Sequence, residues 1–224
     1  DWSSDVCSSD LSALSLSLSG SRTITALETY TTSTSVGTTY FTHTVATGND
    51  ATVTVSVTGP DTAGNAAVAS GTTTFAIDTT APSVALTYAI ASSVPANATA
   101  AGNLTFSSSL SRPVTVGDIV VVKAVTTEAT ALASALSLSL SGSRTITALE
   151  TYTTSSSVGT TYFTHTVATG NDATVTVSVT GPDTAGNAAS ASGTTTFIVD
   201  TTAPTVALTY SLDASTYNAS VARP

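Results

Sequence analysis

A segment that occurs twice constrains this chain more than any other feature. SALSLSLSGSRTITALETYTTS begins at Ser12 and again at Ser134, and the match runs without a gap to Pro82 and Pro204. Over these 71 positions, 122 residues apart, four pairs differ: Thr34/Ser156, Val68/Ser190, Ala76/Ile198 and Ile77/Val199. Copies this similar have the same fold available to them. The chain therefore reads as a stretch of tandem array, in which stability comes from units and their neighbour contacts.

The residues ahead of the first copy have another texture. DWSSDVCSSDL holds the only Trp, the only Cys and three of the fourteen acidic residues. It resembles one reading frame of a sequencing-library adapter. Residues 1–11 are read as a probable artefact and set aside from the fold. On that reading Cys7 says nothing about redox chemistry, and the first copy is expected to be truncated at its start.

Within each copy, period-two alternation is the main structural signal. Leu136, Leu138 and Leu140 alternate with serines, and Val175, Val177 and Val179 alternate with Thr and Ser. One face of such a strand is apolar and the other meets water, as in a half-buried antiparallel sheet. Turn signals separate the runs: Ser141-Gly142-Ser143, Gly170-Asn171-Asp172 and Gly181-Pro182-Asp183. The segment 81–202 divides into seven strands: A (83–88), B (118–125), C (135–140), D (144–152), E (161–169), F (173–180) and G (194–199). Seven short strands over about 100 residues indicate a β-sandwich. The fold class is all-β.

Composition narrows the function. The whole chain carries five basic and fourteen acidic residues, a formal charge of −9. That sign argues against nucleic acid, which needs clustered Lys and Arg, and against an anionic membrane surface. No apolar run reaches the length of a membrane-spanning helix. Catalytic patterns are missing too. There is no Gly-x-Ser-x-Gly elbow, Gly-rich phosphate loop, HExxH or Cys cluster, so an enzyme is not expected. His43 and His165 are copies of one strand position and read as packing or solvent-facing residues.

VTVGDIVVV, DTAGN, TTTFIVDTTAP and TVALTY together resemble the bacterial immunoglobulin-like repeats of large cell-surface and adhesin proteins. The resemblance implies tandem immunoglobulin-like sandwiches. Residues 12–80 would be a truncated repeat with strands C to G, and 81–202 a complete one. Residues 203–224 would be the first strand of a further repeat. Between strands A and B the complete repeat has 11 residues more than the segment from Thr209 to Pro224. This insertion reads as an exposed loop with a short extra strand at 103–107. The implied role is a spacer or stalk, extracellular or at the bacterial cell surface, with neighbouring repeats as its partners. A host-surface or glycan ligand would be met by parts outside this segment. The alternatives are a glycan- or protein-binding module, or an accessory domain of a secreted hydrolase.

Strand direction sorts the acidic residues. Glu128 follows strand B, and Asp183 and Asn187 lie between F and G, all at the pole where the chain enters the complete repeat. Asp78 ends the preceding copy and leads into it through Thr79-Thr80-Ala81-Pro82. Asp78, Glu128, Asp183 and Asn187 are therefore expected to converge on the junction. Oxygen donors gathered from two units suit Ca²⁺, which takes six to eight oxygens with tolerant geometry. The resemblance implies interdomain Ca²⁺ as well. The same residues also read as turn formers, with Asp183 opening and Asn187 closing a loop through side chain to backbone bonds.

Overall fold

The structure is a computed structural model that describes residues 14–26, 39–61, 64–128, 132–149 and 158–209. The reading of residues 1–11 lies outside them. The first copy contributes β1 (Ser15–Leu18), β2 (Thr25–Ala26), β3 (Phe41–Thr42), β4 (Ala51–Thr58) and β5 (Thr74–Ile77). The second unit contributes β6 (Ser83–Ala91), α1 (Ala98–Gly102), β7 (Ile119–Thr127), β8 (Ser137–Leu140), β9 (Thr147–Ala148) and β10 (Val158–Thr166). It ends with β11 (Ala173–Thr180), β12 (Ser190–Ser192) and β13 (Thr196–Val199).

The second unit is two sheets closed on one core. One sheet has the order β12-β6-β7-β10-β9, and the other β13-β11-β8. The alternating apolar positions explain why the sheets meet. Val84, Leu86 and Tyr88 of β6, Val120, Val122 and Ala124 of β7, and Phe163 of β10 face inward from the first sheet. Leu138 and Leu140 of β8, Val175 and Val177 of β11, and Phe197 and Val199 of β13 meet them from the second. Burying each Val or Leu is worth about 1.5–3 kcal/mol. Tyr88 closes the layer: its ring lies 6.3 Å from that of Phe197, and its hydroxyl donates to Thr194 O at 2.6 Å. Burial pushes the phenol up to about 12.

All but one of the strand pairs named in this unit are antiparallel; β12 runs parallel to β6, with Ser190 opposite Ser83. Val114, just ahead of β7, forms a parallel bridge to Val199 of β13. The edge strands β8, β9, β12 and β13 are two to four residues long, which limits the open backbone available for unwanted pairing. The β8–β9 corner turns through Gly142 at φ +75° and Ser143 at φ +55°. A Cβ on Gly142 would come within 2.5 Å of the Arg144 guanidinium, which folds over the turn and donates to Ser141 O at 2.5 Å and Asn171 O at 2.7 Å.

The insertion differs from the exposed loop expected. Strand β6 continues to Ala91, and residues 98–102 form a helix whose first turn is capped by Asn97 Oδ1, accepting from Ala100 N at 2.8 Å. In place of a strand at 103–107 there is one bridge, Ser107 to Tyr88. The physical reason is a second apolar surface. The run Ile119–Val122 is buried on both faces of its sheet, so the outer face must be covered. Ala101, Leu104 and Phe106 cover it, against Ala89, Ala91, Ile119, Val121 and Tyr162.

Beyond the second unit, residues 203–209 are exposed and form no strand, and the rest of the expected further strand, 210–224, lies outside the described residues. The matching segment of β6 is held by β7 and β12 on its two sides. Among the described residues nothing plays those parts for 203–209.

Candidate functional site

The loop from β11 to β12 opens with a turn closed by its own side chains. Asp183 Oδ1 accepts from Ala185 N at 2.9 Å and from Asn187 N at 2.8 Å, while Oδ2 accepts from Asn187 Nδ2 at 2.8 Å. Asp183 N donates to Asn187 O at 3.1 Å, closing the loop from the other side. Leu132 bridges Asp183 in the backbone, and Ala133 N donates to Pro182 O at 2.8 Å, so the loop is anchored to the segment before β8. In the first copy Asn65 N and Nδ2 donate to Asp61 Oδ1 and Oδ2 at 2.7 and 2.8 Å. The turn therefore forms from DTAGN itself, as its reading as turn chemistry expects.

Tertiary structure adds two further carboxylates to this turn. Glu128 follows the last residue of β7 and is buried, as is Asp183, which is 1% exposed. Asp78, half-buried, arrives from β5 at the start of the linker. One ligand atom from each of Asp78, Glu128 and Asp183 lies within 4.8 Å of the other two. Asn187 joins them: its Nδ2 donates to Asp78 O at 3.0 Å as well as to Asp183 Oδ2. In this arrangement Asn187 acts as a donor that ties the second unit to the linker.

Arg112 and Asp118 form an ion pair at 2.7 Å, Asp118 lying just ahead of β7. Asp78, Glu128 and Asp183 each offer an oxygen of the kind a hard divalent cation takes, and are the residues that could hold one. This triad is the one cluster of its kind among the described residues.

The linker is also fastened to the first copy, through a contact the sequence reading did not find. Asp50 Oδ1 accepts from Thr79 N at 2.5 Å and Thr79 Oγ1 at 2.6 Å, and Oδ2 accepts from Thr80 Oγ1. These bonds, led by the Thr79 hydroxyl, hold the Asp50 carboxyl below its usual range. On the other side Ser190 N donates to Pro82 O at 2.9 Å. The available signal was the repetition of Asp50 and Thr79 as Asp172 and Thr201 at the same 29-residue spacing.

His165 is buried on the inner face of β10, and its Nδ1 lies 2.8 Å from Thr145 O. His43 makes the same contact with Thr23 O at 2.7 Å. Both histidines hold the crossover between the two sheets. Phe106, the aromatic of the insertion, packs on Tyr162 with ring centroids 5.8 Å apart. Among the described residues no helix is long and apolar enough to cross a membrane. Compared with known proteins, the chain matches no family model, no curated protein and no solved structure.

Proposed function

We propose that this chain is part of a tandem array of immunoglobulin-like sandwiches that serves as a spacer in a bacterial cell-surface or secreted adhesin-like protein. Its junctions are stiffened by Ca²⁺. The immunoglobulin-like assignment is supported by strand order. In the second unit β6, β7, β10 and β9 take the places A-B-E-D, and β8, β11 and β13 the places C-F-G, the arrangement of constant-type domains. A stalk is a mechanical device, and its requirement is that the connection between units resists bending.

The observation that carries the reading is the junction. A linker carboxylate, the end of β7 and the loop after β11 meet within 4.8 Å, where Asn187 also reaches the linker carbonyl of Asp78. A flexible tether needs no such convergence. Pro82 adds a fixed φ at the entry to β6. The test is small-angle scattering and thermal melting of the whole chain with CaCl₂ and with chelator. The expected result is a higher melting midpoint and a narrower spread of interunit distances with Ca²⁺. An identical midpoint and identical scattering in both would remove the stiffened-junction reading.

A further inference from the structure

We propose that residues 204–210 are a donor strand. They dock on the first copy of a second molecule of this chain, in the place that β6 holds in the second unit, so that molecules associate head to tail. The inference rests on the sandwich described above and needs neither Ca²⁺ nor the spacer role.

The occupant has the sequence of a strand that this fold already seats. PTVALTY, from Pro204 to Tyr210, repeats PSVALTY, from Pro82 to Tyr88, with Thr205 for Ser83 as the one difference. Val84 and Leu86 are buried in the core, whereas Val206 is 78% and Leu208 71% exposed. The same apolar alternation is dry in one place and in water in the other.

The acceptor is the edge that the first copy shares with the second. In the second unit β6 is held on one side by β7, which has no counterpart among the described residues of the first copy. On its other side it is held by residues that repeat. Ser190 N donates to Pro82 O at 2.9 Å, Ser192 Oγ to Val84 O at 3.3 Å and the Tyr88 hydroxyl to Thr194 O at 2.6 Å, while the Tyr88 ring lies on Phe197. The first copy has Val68, Ser70, Thr72 and Phe75 at these four positions. Three are unchanged, and Val68 has only its amide to supply. Val68 and Phe75 are exposed, and 68–70 form no strand. Ser190 faces Ser83 and Ser192 faces Ala85 in parallel register, which sets Val68 against Thr205 and Ser70 against Ala207. Added strands of this kind take affinity from main-chain bonds and specificity from alternate side chains.

The contact is directional. Each molecule offers one donor, after its second unit, and one acceptor, ahead of it. Such an interface is heterologous and builds open chains rather than a closed dimer. With β7 unreplaced, a Kd in the micromolar range is expected, not a nanomolar one.

Sedimentation of the full chain from about 1 μM to about 1 mM covers that range. Chelator is present throughout, so the outcome is independent of the Ca²⁺ reading. The mass is expected to rise with concentration and to pass that of a dimer. Val206→Ser combined with Leu208→Ser changes two residues that are in water in the single molecule, so its fold is spared. It should weaken association at least about 100-fold, because two side chains of this size lose their burial. Hydrogen exchange at low and high concentration locates the contact. The amides of 68–70 and 205–209 should gain protection together, while 190–192, already paired with β6, stay unchanged. A chain that remains monomeric, a double variant that associates like the wild type, or protection that bypasses 68–70 would each overturn the proposal.

Discussion

The two copies differ at four of 71 aligned positions, yet their described residues are not equally buried. Their shared pairings keep one register. Ser15 faces Thr58 as Ser137 faces Thr180; Ala51 faces Ile77 as Ala173 faces Val199; Thr25 faces Thr42 as Thr147 faces Thr164. What changes is everything that touches β6 or β7. Strand β10 runs nine residues against β7, whereas its counterpart β3 has two. Phe197 is 5% exposed and Phe75 41%; Val167 is 2% exposed and Val45 50%. No counterpart of β12 forms at 68–70. The comparison teaches that alternation writes a strand's two faces, but burial is conferred by what lies opposite.

The largest expected effect breaks the comparison at its core. Phe197→Ala should destabilise the second unit by about 3–5 kcal/mol. Phe75→Ala, with part of its ring already in water, should cost well under half of that. Denaturant unfolding followed by hydrogen exchange, which resolves the two units separately, measures both. Equal costs would mean that the first copy is packed as tightly as the second. Limited proteolysis of the full chain sharpens the same point, with cleavage within 14–80 expected before cleavage within 81–202.

Next in size is the response to Ca²⁺. At about 100 times Kd a bound ion adds about 2.7 kcal/mol. That gain should appear in the second unit and the linker and should vanish in Asp183→Ala. Asp61→Ala, at the equivalent turn, which belongs to no carboxylate triad among the described residues, should leave it intact. A Ca²⁺-dependent shift that survives Asp183→Ala would place the ion elsewhere.

A smaller effect is expected from Tyr88→Phe, which removes the hydroxyl bond to Thr194 O and leaves that carbonyl without its donor. The loss should be about 1 kcal/mol, read from the chemical denaturation midpoint, and it should spare the first copy. Smallest is the acid limb. Hydrogen bonds hold Asp50 and Asp172 low, and the Arg112 pair holds Asp118 low. A carboxyl lowered on folding contributes stability that is complete above its ordinary value of 3.8 and is lost as pH falls through the folded value. Melting midpoints should therefore drop below about pH 4, with both copies affected because each has its own clasp. An effect confined to the second unit would assign the acid sensitivity to Asp118 alone.

Much of the candidate site was legible because sheet geometry is regular. Strand direction alternates along the chain, so the ends of strands B and F and the incoming linker fall at one pole, and Asp78, Glu128 and Asp183 do meet there. The role of Asn187 was less legible. Its side chain ties Asp183 to the carbonyl of Asp78, a bond across 109 residues that depends on how the loop is tilted against the linker. The insertion was misjudged for a related reason. Ala, Ser and Asn read as solvent-exposed, but a helix of small residues fits closely on a sheet face, and Ala101 has no exposed surface there.

Sequence by itself determined the features that act over a few residues. These are the two-faced strands, the Gly and Asn turns between them, and the Asp–Asn side-chain bonds that recur in both copies. Only tertiary structure decided which apolar faces lose their water, whether a second apolar layer covers β7, and which threonines each exit-turn aspartate holds. The reason is range. A pleat and a turn are fixed by neighbouring dihedral angles, whereas burial and the Asp50–Thr79 clasp require segments far apart in the chain to be brought together by the core between them.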